Sequence, residues 1–157
     1  MWTELTTKDP ALADKCAVIM RKMDRAYRKL TAGQILAFLV VKKGRVFLYE
    51  RGDVNIVLVL VPNARLRKLR VFTCGVVGSI TPEAALDLAV DKLVDVMNAG
   101  GMTNVYAIRS AGLDHAPINR FFDLVVSHPK LRVTVEHQMA DRDAWNIALS
   151  PGPVPVP

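Results

Sequence analysis

The chain has 157 residues, of which 51% are apolar, 23% charged and 6% aromatic. That length and balance exclude a disordered chain and predict one self-sufficient core built from Val, Leu, Ile and Ala. A formal net charge of +6 leaves three kinds of partner open, a polyanion, an acidic protein surface or an anionic cofactor, beside a merely solvated basic face.

The cysteines are Cys16 and Cys74, one in a helical pattern and one in a strand pattern, so no disulfide framework and no Cys-x-x-Cys clip can be built. Met1 to Leu5 shows no basic segment leading into an apolar run, and no stretch reaches the roughly 18 apolar residues of a membrane span. The expectation is a soluble cytoplasmic protein with no membrane partner and two buried thiols.

In chain order, Asp9 and Pro10 read as an N-cap and a first helical residue. Leu12, Cys16, Ile19, Met23, Tyr27 and Leu30 follow at three- and four-residue steps, which predicts an amphipathic helix over roughly 10–30. Thr31 and Gln34 fit a capping box, and Lys42, Lys43 and Gly44 supply a cationic last turn and a stop, so 32–43 reads as a second helix. A strand competes there, because Ile35 to Val41 is an unbroken apolar run; the caps select helix.

Beyond Gly44 the runs shorten and become β-rich. Strands at 46–50 and 55–61 flank a tight turn at Arg51, Gly52 and Asp53, and a third strand at 69–77 completes an antiparallel meander. Thr81 as N-cap and Pro82 at the first helical position open a helix that Gly100 and Gly101 stop, with Leu86, Ala89, Val90, Leu93, Val94 and Met97 as its buried stripe. A strand at 103–109 is expected parallel to the third, because a full helix separates them. A fourth helix at 116–127 and a closing hairpin of 131–137 with 145–149 follow. Residues 1–150 thus form one α/β (α+β) domain with a mixed sheet, and 151–157 a Pro-rich tail of polyproline-like chain that suits a surface to lie on, another subunit included.

Two helices, an antiparallel meander, then Leu69–Val77 feeding the helix from Thr81, the strand at 103–109 feeding the helix with Asn119, Arg120, Phe121 and Phe122, and the hairpin from Leu131 make up an order of elements. That order resembles the GNAT (Gcn5-related N-acetyltransferase) fold over roughly residues 10–149. The resemblance implies that the loop after the third strand, here Val76, Val77, Gly78, Ser79, Ile80 and Thr81, holds the pyrophosphate of acetyl-CoA on its amides and on the helix N-terminus. The family pattern there is Gln or Arg, two residues, Gly, one residue, then Gly or Ala. In this sequence the Gln or Arg and the second small residue are missing, Pro82 removes a donor, and the Glu83 carboxylate opposes a bound pyrophosphate by about 1 kcal/mol. Phe121 and Phe122 stand where many members place a proton-donating Tyr, so the resemblance supplies no catalytic residue.

His115, His128 and His137 lack metal-ligand spacing, and no metal site is expected. Arg65, Arg67, Lys68 and Arg70 form the densest basic run, with Phe72 near enough to stack on a base. The reading that follows is a degenerate GNAT-like scaffold without a cofactor, similar to small proteins encoded beside tailed-phage virion genes. Its role would be binding or assembly through a protein partner or a second copy, in the host cytoplasm or the virion. An acetyl-CoA-dependent N-acetyltransferase is the alternative, and nucleic-acid binding through Arg65 to Arg70 a second one.

Overall fold

The computed structural model describes residues 1–23, 27–102, 104–110, 131–139 and 142–149. Its elements are β1 (Trp2–Glu4), α1 (Pro10–Met23), α2 (Ala32–Val41), β2 (Arg45–Arg51), β3 (Val54–Asn63), β4 (Lys68–Val77), α3 (Pro82–Gly100), β5 (Asn104–Ser110), β6 (Leu131–Met139) and β7 (Arg142–Leu149). The strands form one seven-stranded mixed sheet in the order β1-β2-β3-β4-β5-β7-β6. Every neighbouring pair is antiparallel except β4 and β5, which run parallel as their helical crossover requires.

The helix ends are set by local chemistry. Leu12 N–H donates to Asp9 Oδ1 at 3.0 Å, Gln34 N–H to Thr31 Oγ1 at 3.2 Å and Ala84 N–H to Thr81 Oγ1 at 3.2 Å. Gln34 returns a bond, its Oε1 accepting from Thr31 N–H at 3.0 Å, which completes the capping box. Gly101 closes α3 in the left-handed region with φ 65°.

Two apolar layers cover the sheet. On one face Phe47, Ile56, Leu58, Leu60, Leu69 and Val71 meet Leu86, Val90, Leu93 and Met97 of α3. On the other Val46, Leu48, Val57 and Val59 meet Ala13, Cys16, Ile19 and Met20 of α1 and Ile35 of α2. Burial from both sides is why Ile56 to Leu60 reads as a continuous apolar run rather than an alternating one.

Several boundaries differ from the expectations. The strand β1 was not foreseen; it pairs with β2, its Trp2 ring 5.4 Å from Tyr49, while Arg45 Nε and Nη2 clasp Glu4 Oε1 and Oε2 at 2.8 and 2.9 Å. The first helix is described over Pro10–Met23 and does not reach 30: residues 27–30 form a turn that Arg21 Nη1 holds back by donating to the Leu30 carbonyl at 2.6 Å. The second ends at Val41 rather than 43, because Lys43 turns to φ 52° and the Phe38 carbonyl accepts from the amides of both Lys42 and Gly44. Pro62 lies inside β3, where β2 has already ended its pairing at Leu60 and a missing N–H costs no ladder bond on that edge. The closing hairpin is longer than expected, Leu131–Met139 against Arg142–Leu149. The helix expected at 116–127, with Phe121 and Phe122, and the tail at 151–157 lie outside the described residues.

Glycine is required most strictly at Gly78, with φ 116° and a position at which a Cβ would come within 2.3 Å of the Asp53 carbonyl oxygen. Gly52, in the β2–β3 turn, has φ 59° and open space around it. Gly78→Ala is expected to cost about 2–4 kcal/mol and Gly52→Ala about 1 kcal/mol in urea unfolding; equal costs would contradict the packing of turn against loop.

Candidate functional site

The sheet opens between β4 and β5. Residues Lys68, Leu69 and Arg70 pair with Asn104, Val105 and Tyr106, and beyond Arg70 the parallel pairing stops, although β5 continues to Ser110 and β4 to Val77. Each strand keeps its other neighbour throughout: β3 stays with β4 from end to end, and β7 with β5.

The cause is a β-bulge. Leu60 pairs with Val71 and Val59 with Thr73, so Phe72 is an extra residue on β4. A bulge bends its strand and increases the local twist, which turns the second half of β4 away from β5. It also changes which side chains share a face: Leu69 and Val71 precede it against α3, whereas Cys74 follows it against the same helix. Past that point β4 and β5 have edges with no partner strand among the described residues, which opens a cleft between them.

Polar atoms at the bend lack partners. Arg70 Nε and Thr73 Oγ1 are buried with no hydrogen-bond partner among the described residues, and Thr73 is only 1% exposed. The Arg70 guanidinium stacks 5.4 Å from the Phe72 ring, which in turn lies 5.5 Å from the Phe38 ring of α2. Buried polar atoms without a partner are rare, and these two flank one bulge.

On the α1/α2 side of the bend is an open cavity of about 420 Å³, walled by Tyr27, Leu30, Ile35, Phe38, Val59 and Phe72 and rimmed by Lys29 and Gln34. Lys29 is the one charged residue among its described lining. At the far end of β4 the expected anion loop, Val76, Val77, Gly78, Ser79, Ile80 and Thr81, does lead into the N-terminus of α3. Its donors are partly committed: Ser79 N–H donates to Asp53 Oδ2 at 3.0 Å, Ala84 N–H to Thr81 Oγ1, and Pro82 has none. Hydrogen bonding from the Ser79 hydroxyl, and then from its amide, holds the exposed Asp53 carboxyl below the usual carboxylate value. Asp53 was not singled out from the sequence, since nothing local links it to a residue 26 positions away.

The residues of the basic run have different surroundings. Arg65 and Arg67 are exposed and Lys68 and Arg70 half-buried. Arg67 takes φ 53° and donates from Nε to the Gly101 carbonyl at 3.0 Å, tying the β3–β4 turn to the end of α3, while Arg70 stacks on Phe72 at the cleft. Among the described residues no cluster of His, Cys, Asp and Glu is arranged to hold a metal, and no helix is long and apolar enough to cross a membrane.

The implied acetyl-CoA can be tested against these residues. The cleft fits its amide-bearing arm, because an extended chain of amides can pair with free strand edges. The loop fits its pyrophosphate only with the Asp53 carboxylate turned away from Ser79.

Neither cysteine can relay an acyl group. Burial pushes the Cys74 thiol up to about 12 and the Cys16 thiol up to about 11. A disulfide reagent such as DTNB is therefore expected to leave the native protein untouched at pH 8 and to titrate both thiols after unfolding. Because both folded values lie above the unfolded one near 9, the unfolded state loses protons first, and stability is expected to fall as pH rises from about 9 toward 12.

No protein-family model and no curated protein sequence matches the chain. Solved structures do. An aminoglycoside 6'-acetyltransferase type Ii superposes with a TM-score of 0.69 at 14% identity over 98% of this chain and 99% of that one. An aminoglycoside 6'-N-acetyltransferase complexed with coenzyme A gives 0.62 at 14% identity, over 98% of this chain and 99% of that one. The ribosomal-protein-S18-alanine N-acetyltransferase from Escherichia coli gives 0.53 at 14% identity, with the same two coverages. The open β4–β5 cleft, the bulge that opens it and these superpositions agree: the chain has the GNAT-like fold of the N-acetyltransferases.

Proposed function

We propose that this protein is an acetyl-CoA-dependent N-acetyltransferase. The observation that carries the reading is the divergence of β4 and β5 after Arg70, which provides unpaired strand edges leading to the loop before α3. The acetyltransferase neighbours, one of them complexed with coenzyme A, support it. Those neighbours favour this reading over a cofactor-free assembly protein, and they lend no support to a virion setting.

Bound acetyl-CoA would supply an activated acetyl group as a thioester: a neutral acceptor amine would form the C–N bond as the C–S bond breaks, its N–H proton passing to the leaving thiolate to give the free thiol. The chain's own part is positional. Strand edges of β4 and β5 align the thioester arm, and the cavity at Phe72 presents the amine to it. With both thiols buried and protonated, transfer is direct from donor to acceptor, without an acylated cysteine.

The cavity also bears on the acceptor. Polycations such as aminoglycosides need carboxylates around them, whereas the described lining offers aromatic and aliphatic walls with Lys29 at the rim. An amine carried on an apolar or aromatic body suits it.

In thermal unfolding, acetyl-CoA at 100 times its dissociation constant is expected to add about 2.7 kcal/mol of stability. Turnover with aromatic monoamines can be followed by DTNB, since the native cysteines are silent. A protein that neither gains stability from acetyl-CoA nor releases thiol would return the choice to the assembly reading.

A further inference from the structure

The cavity beside Phe72 is apolar inside, and the described charges next to it are of one sign. Its volume of about 420 Å³ is that of a small-molecule site, and Tyr27, Leu30, Ile35, Phe38, Val59 and Phe72 make an aromatic and aliphatic box for one large side chain. Lys29 stands at the rim. The Arg70 guanidinium lies 5.4 Å from the Phe72 ring, and Arg70 is also the last residue of β4 to pair with β5, so a fixed cation sits where the cavity meets the opening cleft. Among the described residues neither cation is in an ion pair, no carboxylate lines the cavity, and α2, which supplies Ile35 and Phe38, carries no charged residue from Ala32 to Val41. A plain amine, protonated in water, meets only like charge at such a site. A molecule with a carboxylate next to its amine brings the opposite charge.

We infer that the acceptor is an apolar α-amino acid: its side chain fills the cavity, its carboxylate is held by Arg70 and attracted by Lys29, and its α-amine is left at the opening of the cleft. As a statement about acetyl transfer this rests on the acetyl-CoA reading above; as a statement about binding it stands without it. A guanidinium offers a carboxylate two parallel N–H donors, and stacking on Phe72 orients its plane. Side chain, carboxylate and amine branch from one carbon in an α-amino acid, so seating the first two positions the third. A peptide N-terminus has an amide in place of the carboxylate and falls outside the class.

The test compares phenylalanine, phenylalaninamide and phenethylamine as acceptors for the full chain with acetyl-CoA, following released thiol. The kcat/KM for phenylalanine is expected to exceed both others by about tenfold or more. Arg70→Gln is expected to remove most of that margin, Arg70→Lys to keep part of it, and Lys29→Gln, at an exposed position, to reduce it about two- to fivefold. Calorimetry with N-acetylphenylalanine and N-acetylphenethylamine reads the same preference without turnover. All three acceptors used equally, or the amide or the plain amine preferred, uphold the acetyl-CoA reading and overturn the α-amino acid. A phenylalanine margin that survives both Arg70→Gln and Lys29→Gln overturns it too; should Arg70→Gln not fold, Lys29→Gln alone decides. Tighter binding of N-acetylphenylalanine that depends on these two cations, with no thiol released from any acceptor, upholds the site and sinks the acetyl-CoA reading. No turnover together with equal or absent binding of the two N-acetyl compounds sinks both.

Discussion

One extra residue in one strand governs the rest of this molecule. β4 is held by β3 along its full length, and β5 is held by β7 along its own. Between two such ladders, a flat continuation would bring β4 and β5 together to their ends and leave no site. Phe72 prevents that. By adding a residue opposite the Val59–Leu60 step it bends β4 just past the last paired position, and the energy of the lost ladder bonds is set against full pairing on the outer edges. The same bend brings Phe72 to Phe38, leaves Arg70 Nε and Thr73 Oγ1 without partners among the described residues, and places the aromatic wall of the cavity at the opening of the cleft.

The electrostatics of the far end answer to a different constraint. A helix N-terminus and a glycine-bearing loop favour negative charge, and here a carboxylate from the neighbouring turn supplies it. The site thus has an open apolar end, where Phe72 and Phe38 face a cavity, and a self-neutralised polar end, where Asp53 answers Ser79. The departures of the loop from the family pattern acquire a physical setting in this way: Ile80, in place of a small residue, packs against the α3-side core, and Pro82 sits at the first position of α3, where its missing N–H costs that helix nothing.

What could be read from the chain beforehand was the chemistry that acts within a few residues. Asp9, Thr31, Gln34, Thr81 and Gly101 each serve as expected, because a cap needs only its own turn of helix. The parallel relation of β4 and β5 was also legible, since a 19-residue helix between two strands leaves little choice. Three-residue β1 was not, because so short a strand exists only through its neighbour β2. Nor was the bulge: Leu69 to Val77 looks like a regular strand, and only the adjacent burial of Thr73 and Cys74 betrays the change of phase. The Asp53–Ser79 bond and the engagement of Arg67 with Gly101 depend on approach across 26 and 34 positions, which no local pattern encodes.

The two apolar layers carry a consequence for diversification. The cavity wall belongs to the layer under α1 and α2, with Ile35, Phe38 and Val59, whereas Ile80 of the anion loop belongs to the layer under α3, with Leu86 and Val90. A sheet of alternating side chains separates them, so a mutation that recuts one wall is insulated from the other. Such an arrangement makes acceptor preference an evolvable trait at nearly constant donor handling, and it offers a protein engineer one face to randomise while the opposite face is kept as inherited.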